Sequence, residues 1–309
     1  MIMRPLRGIL LKLGSVLVFI VMASLIKSVA DRVPPGQAVF FRSFFAMPVI
    51  VVWLAMRQEL AGGFAVANPM GHVWRGVVGT TAMGLGFAGL AFLPLPEVTA
   101  IGYAAPILTV VFAAMFLGEE VRLFRISAVI LGMVGVIIVL SPRLTLVSGE
   151  TMRATEALGA MLVLGGAVFA ALAQVFVRKL VNTEKTSAIV FWFSATASVL
   201  ALVTLPFGWV WPTGREAVIL VACGLLGGLG QILLTSAYRH ADASLVAPFD
   251  YASMLFALAI GYWVFDEVPT GTVLAGAALV VTAGVLIIWR ERRLGIKRAR
   301  QRKAMTPQG

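Results

Sequence analysis

The sequence predicts an all-α integral membrane protein: ten transmembrane helices forming a 5+5 inverted repeat, with both termini cytoplasmic. Three observations lead there. Of 309 residues, 60% are hydrophobic and 13% charged, a balance that a soluble domain could carry only by exposing large apolar patches. Ten apolar segments reach the roughly 20 residues needed to cross about 30 Å of hydrocarbon: roughly 9–30, 37–56, 73–93, 96–117, 123–141, 157–178, 187–207, 216–238, 243–265 and 271–289. They are too long and too continuously apolar for barrel strands, which alternate. Third, the chain repeats itself. LPLPEVTAIGYAAPILTVVFAAMFLGE (Leu93 to Glu119) returns 148 positions later as ADASLVAPFDYASMLFALAIGYWVFDE (Ala241 to Glu267), with Tyr103/Tyr251 and Glu119/Glu267 aligned and prolines 106 and 248 inside the runs. At a displacement of 150, Val18, Phe19, Ala38 and Phe41 meet Val168, Phe169, Ala188 and Phe191. Five helices per half is odd, so the second half enters the membrane in the reverse sense.

Basic residues set the orientation. Arg4, Arg7, Lys12, Arg57, Arg75, Arg122, Arg125, Arg178, Lys179, Lys185, Arg239 and the tail from Arg290 to Lys303 fall on one side, against Lys27, Arg32, Arg143, Arg153 and Arg215 on the other. The richer side is cytoplasmic. Residues 1–142 form the first repeat, 143–156 a periplasmic linker, 157–290 the second repeat and 291–309 a basic cytoplasmic tail. The tail supplies most of the formal charge of +11 and reads as an anchor on anionic lipid rather than a nucleic-acid arm.

Helix one follows Arg4, Arg7 and Lys12 as a signal peptide would, but its apolar run is long and no clean small-residue cleavage site precedes Asp31, so it is read as retained. It ends at IKSVADRVPPGQ, where Pro34-Pro35 prevents continuation. Lys27 there either snorkels to headgroups or serves a gate. In helix two, Arg42 lies inside FFRSFF, where a guanidinium is tolerable only facing protein or water; a substrate site and an internal ion pair both satisfy that. The repeat sets Trp192 opposite Arg42. Helices three and eight are glycine-rich, for close packing or for lining a cavity that moves. Gln174 and Gln231, deep in helices six and eight, suit a wet interior or an interhelical hydrogen bond.

Helix four carries Glu97 near its outer end, at a depth similar to Arg42, so an Arg42–Glu97 pair that breaks as the outer side opens is expected. Helix nine carries Asp250, just past Pro248, which removes a backbone donor beside the charge; the acid belongs either to a site or to an ion pair with Arg239 or another inner-surface base. Helices five and ten are plain packing spans. His72 and His240 are the only histidines, both near the cytoplasmic surface, and no hydrolytic triad, metal cluster or phosphate loop is spelled out. Cys223 is the only cysteine, so no internal disulfide is available.

The runs IKSVADRVPPGQAVFFRSFFAMP, FLGEEVRLFRISAVILGMVGV and APFDYASMLFALAIGYWVFDEVPTGTVLAGAALVVTAGV, in that order and spacing, resemble the drug/metabolite transporter superfamily with tandem EamA-type domains over nearly all of residues 9–289. The resemblance implies an inner-membrane carrier with a cavity lined by helices one to four and six to nine, and helices five and ten at the pseudo-symmetry axis. Lys27 with Arg42 resembles the branch of bacterial riboflavin and S-adenosylmethionine uptake carriers; amino-acid and drug exporters share much of the pattern. The expected function is therefore secondary transport of a small organic metabolite by alternating access, without cofactor, metal or nucleic acid, by a monomer in the lipid bilayer. A non-transporting membrane enzyme or accessory subunit is the rival. Riboflavin leads as substrate, since Tyr103, Trp192 and Tyr251 offer ring faces for a flat, mostly uncharged heterocycle. The expected substrate residues are Arg42, Tyr103, Gln174, Trp192, Gln231, Asp250 and Tyr251, with Lys27 and Glu97 as gates.

Overall fold

The computed structural model describes residues 5–117, 151–240, 249–250 and 252–279, with scattered positions in 127–138 and 281–289. Among these the regular structure is helical: α1 (Pro5–Lys27), α2 (Pro35–Phe44), α3 (Ala46–Met56), α4 (Leu60–Gly63), α5 (Pro69–Leu90), α6 (Leu95–Gly102), α7 (Ala104–Leu117), α8 (Thr151–Leu180), α9 (Thr186–Leu202), α10 (Gly214–His240), α11 (Ala252–Phe265) and a last helix over 271–279. Four stretches among the described residues are long and apolar enough to cross a membrane: Leu6–Lys27, Pro35–Met56, Ala154–Leu180 and Gly214–His240. Large apolar side chains stand on the outside, Val199, Leu255 and Trp263 among them, as suits a surface solvated by lipid tails. The protein is a multi-pass membrane protein.

Two expected spans are broken, and by the same device. Helix two is α2 plus α3, interrupted at Phe45; helix four is α6 plus α7, interrupted at Tyr103. In each case a proline follows three residues on, Pro48 or Pro106. Proline has no N–H to return to the carbonyl four residues earlier, so Phe44 and Gly102 lose their helical donor and the chain bends there. Helix starts follow equally local chemistry. Pro34 is extended and Pro35 opens α2, while Asn68 accepts from the Gly71 N–H at 3.0 Å and Pro69 opens α5.

The helices pack α1 on α10, α5 on α8 and α9, α7 on α8, α2 on α9 and α10, α3 on α10, and α6 on α11. In span numbers the contacts are one with eight, three with six and seven, two with seven and eight, and four with six and nine. Glycine makes the closest approaches possible. A Cβ on Gly224 would lie 2.3 Å from Phe45 Cβ, and one on Gly228 would lie 2.8 Å from the Ala46 carbonyl, so α10 presses its bare face against the bend between α2 and α3. Gly89 meets Val163 in the same manner across the α5–α8 seam. These glycines of spans three and eight are packing elements. One core cluster, around Ile101, Tyr103, Val163 and Met254, ties α6 and α7 to α8, α11 and the last helix; another joins α1 to Phe87, Leu220 and Cys223. Of the expected helix over 123–141 only scattered positions are described; residues 143–150 of the linker, Glu119, Pro248 and the basic tail lie outside the described residues, and residues 151–156 belong to α8.

Candidate functional site

Besides the His72–Glu184 contact at the cap of α5, charge is concentrated in three buried places. At the start of α11, Asp250 accepts from Lys12 Nζ at 2.7 Å; Lys12 is 2% exposed and its ammonium also lies 5.5 Å from the Tyr238 ring centroid. Of the inner-surface bases open to Asp250, Lys12 is its partner and Arg239 is not. Arg239 instead donates to the Glu184 carbonyl. Position 12, expected among the surface cations, is buried because it stands two turns inside a helix that begins at Pro5.

At the other end of the same two helices, Lys27 Nζ lies 3.1 Å from Glu267 Oε1 and donates to the Leu93 carbonyl at 2.8 Å. Glu267 Oε2 accepts from the Leu95 N–H at 2.9 Å. Lys27 therefore does not snorkel. It bolts the end of α1 to the end of α11 and to the start of α6. The equivalence of Glu119 and Glu267 pointed to this acid as a repeated element, but not to Lys27 as its partner.

The third place is the interior between α2, α5 and α9. Arg42, 2% exposed, holds its Cζ 5.4 Å from the Phe193 ring centroid, and Arg75, 6% exposed, holds its own at 3.9 Å from the same ring. Nε and Nη1 of both guanidiniums are buried without a hydrogen-bond partner. Among the described residues no ion pair reaches either one. The expected Arg42–Glu97 pair is thus not formed: Arg42 turns towards α9 and α10, where its Nε would lie 2.9 Å from a Cβ on Gly227, while Glu97 is buried on α6. Stacking on an aromatic ring contributes about 0.5–2 kcal/mol, whereas desolvating an ion costs several kcal/mol. Phe193 alone does not balance two buried cations, and their mutual repulsion widens the deficit.

Arg75 was counted as a surface cation because the apolar run begins at Val73. The helix begins earlier, at Pro69 behind its Asn68 cap, which carries Arg75 into the second turn and inside the bundle. The readable signals were that cap and Gly79, one turn on, whose missing Cβ would fall 1.9 Å from Arg75 Nη1. Trp192, the repeat counterpart of Arg42, does not join the cluster: its indole N–H donates to the Phe64 carbonyl at 3.0 Å, outside the bundle's centre. Its neighbour Phe193 takes the interior position. Tyr103 is core-buried at the α6–α7 bend and its hydroxyl lies 2.9 Å from Ser253 Oγ, which donates to the Asp250 carbonyl at 2.5 Å. Gln174 Oε1 is buried without a partner, and Gln231 is half-buried one turn after Gly227. Tyr251 lies outside the described residues. The structure therefore gathers Tyr103 and Asp250 at one junction and leaves Arg42 at another.

Long apolar helices packed around isolated buried charges, with no group of metal ligands among the described residues, are the build of a membrane carrier. The chain belongs to the EamA-like transporter family, whose sequence profile matches residues 6–141 and again residues 157–289, so the family domain occurs twice in tandem. It is 31% identical over 281 residues to the pseudopaline exporter CntI of Pseudomonas aeruginosa, covering 91% of this chain and 95% of that one. It is 26% identical to an S-adenosylmethionine uptake transporter of Rickettsia bellii, covering 86% and 88%. A solved crystal structure shares the fold, with a TM-score of 0.68 at 21% identity over 93% of this chain and 98% of that chain. None of these names mentions riboflavin, and the flavin expectation gains no support from them.

Proposed function

We propose that the protein is a secondary carrier that moves a small organic metabolite across the bacterial inner membrane by alternating access, its two EamA halves lying in opposite orientation with both termini in the cytoplasm. The observation that carries this reading is the double fastening of α1 to α11, through Lys12–Asp250 at one end and Lys27–Glu267 at the other. A carrier must open its centre to one side at a time, and ion pairs at opposite ends of one helix pair are contacts that can be broken separately. The packing supports a two-fold relation between the halves: if spans one to four correspond to six to nine, the one–eight contact maps onto three–six and two–eight onto three–seven, while two–seven and four–nine map onto themselves. With five spans in each half, as the sequence predicts, such halves are opposed.

S-adenosylmethionine or another metabolite of similar size takes the place of riboflavin as the expected cargo, on the strength of the relatives' names. The direction of net movement follows from the substrate gradient and is left to measurement. The test is reconstitution: purified protein in liposomes loaded with a bacterial metabolite extract, with external and retained pools followed by mass spectrometry. At least one metabolite should cross faster than in empty liposomes. If none does, in either direction, the carrier reading falls and an accessory or enzymatic role takes its place.

A further inference from the structure

The Arg42–Arg75–Phe193 cluster has an unmet electrostatic demand. Two guanidiniums from different helices face one ring, both more than nine-tenths buried, and neither is neutralised from within the protein. Glycine leaves the space they occupy open on two further sides, since a Cβ at Gly79 would touch Arg75 Nη1 and one at Gly227 would touch Arg42 Nε. An arginine retained only for helix packing would direct its fork to a carboxylate or to carbonyls. Here the nitrogen atoms aimed inward have nothing to donate to.

We propose that Arg42 and Arg75 form an oxyanion subsite, so that the cargo carries a carboxylate or phosphate group, received by the two guanidinium forks, next to an apolar or planar portion that packs on Phe193. Guanidinium geometry suits a planar or tetrahedral oxyanion because two parallel N–H donors match two oxygens. Entry of the anion supplies the missing counter-charge, and the cluster is then balanced only when loaded. This inference rests on the carrier reading and narrows its substrate class: a neutral metabolite would leave both cations as they are.

The experiment uses the full-length protein in detergent, with glutarate, citrate and inorganic phosphate as ligands at matched ionic strength against chloride, and glutaramide as the neutral counterpart. Thermal unfolding is followed by intrinsic fluorescence, and binding by calorimetry. At least one oxyanion should raise the unfolding temperature saturably where chloride and glutaramide do not, and the arm that responds identifies carboxylate or phosphate chemistry. Arg42→Gln and Arg75→Gln should each weaken that binding about tenfold or more, as loss of a charge-assisted hydrogen bond does, whereas Lys179→Gln, at an exposed cation on α8, should leave it unchanged. Arg75→Met should abolish binding yet unfold at a higher temperature than the ligand-free wild type; a lower unfolding temperature would mark Arg75 as a packing residue and overturn the proposal. So would a panel in which no oxyanion exceeds chloride, even if liposomes still carry a neutral metabolite, in which case the carrier reading stands alone. Arginine-dependent binding by a protein that moves no metabolite of the extract across liposomes would keep the subsite and sink the carrier.

Discussion

Asp250 and Lys12 form one ion pair but do not share its consequences. Lys12 is 2% exposed and Asp250 32%, so removing the lysine leaves a carboxylate that water can reach, whereas removing the carboxylate leaves a buried ammonium with no counter-charge beside Tyr238. Asp250→Asn should therefore destabilise the protein by up to about 3–5 kcal/mol, the range for orphaning one partner of a buried pair. Lys12→Met should cost about 1 kcal/mol or less. Thermal unfolding of the two variants in one detergent checks this, and equal losses would contradict the asymmetry. Gly79 offers a second residue-scale prediction. Its Cβ would lie 1.9 Å from Arg75 Nη1 and 2.8 Å from Phe193, so Gly79→Ala must push one of them aside. The overpacking should cost about 1–3 kcal/mol, and transport in liposomes should fall more steeply than the unfolding temperature suggests.

The bends in spans two and four operate at the scale of the element. Each interrupts its helix one turn before a proline, and the first of them seats against the glycines of α10. Pro48→Ala restores a donor for the Phe44 carbonyl and permits a straight helix from Pro35 to Met56. Transport should drop while helicity by circular dichroism holds or rises; an active Pro48→Ala variant would show that the bend is dispensable. How far the sequence spoke at this scale is uneven, for identifiable reasons. The spans were legible because bilayer thickness fixes the length of an apolar run, and Arg42 was legible because it is the only charged residue in its run. The Arg42–Glu97 pairing was not, since similar depth says nothing about which way two helices turn their faces. Arg75 and Lys12 were lost because hydropathy locates the apolar run rather than the helix, and both helices start well before their apolar stretch. Trp192 was chosen over Phe193 by repeat alignment, yet adjacent helical residues point about 100° apart, and a register uncertain by one residue reverses that choice.

For the whole molecule, orientation is the property most open to a direct check. Single cysteines at positions 32 and 215, in a Cys223→Ser background, should react with an impermeant thiol reagent in intact cells, while those at 57 and 185 should not. Labelling at 122 without labelling at 153 would reverse the topology. Cys223→Ser keeps the size of the buried side chain, and its hydroxyl can bond the carbonyl one turn back on α10. The two fastenings of α1 to α11 also bear on the energetics of the cell. A bacterium stores work as a proton gradient, and a carrier open at both ends together would be a hole in that store. With Lys12–Asp250 and Lys27–Glu267 at opposite ends of one helix pair, such a hole requires both pairs to be lost at once. If the two openings are independent, its population is the product of two small fractions. If these pairs are the gates of the proposed carrier, the same four side chains keep the membrane sealed while cargo passes.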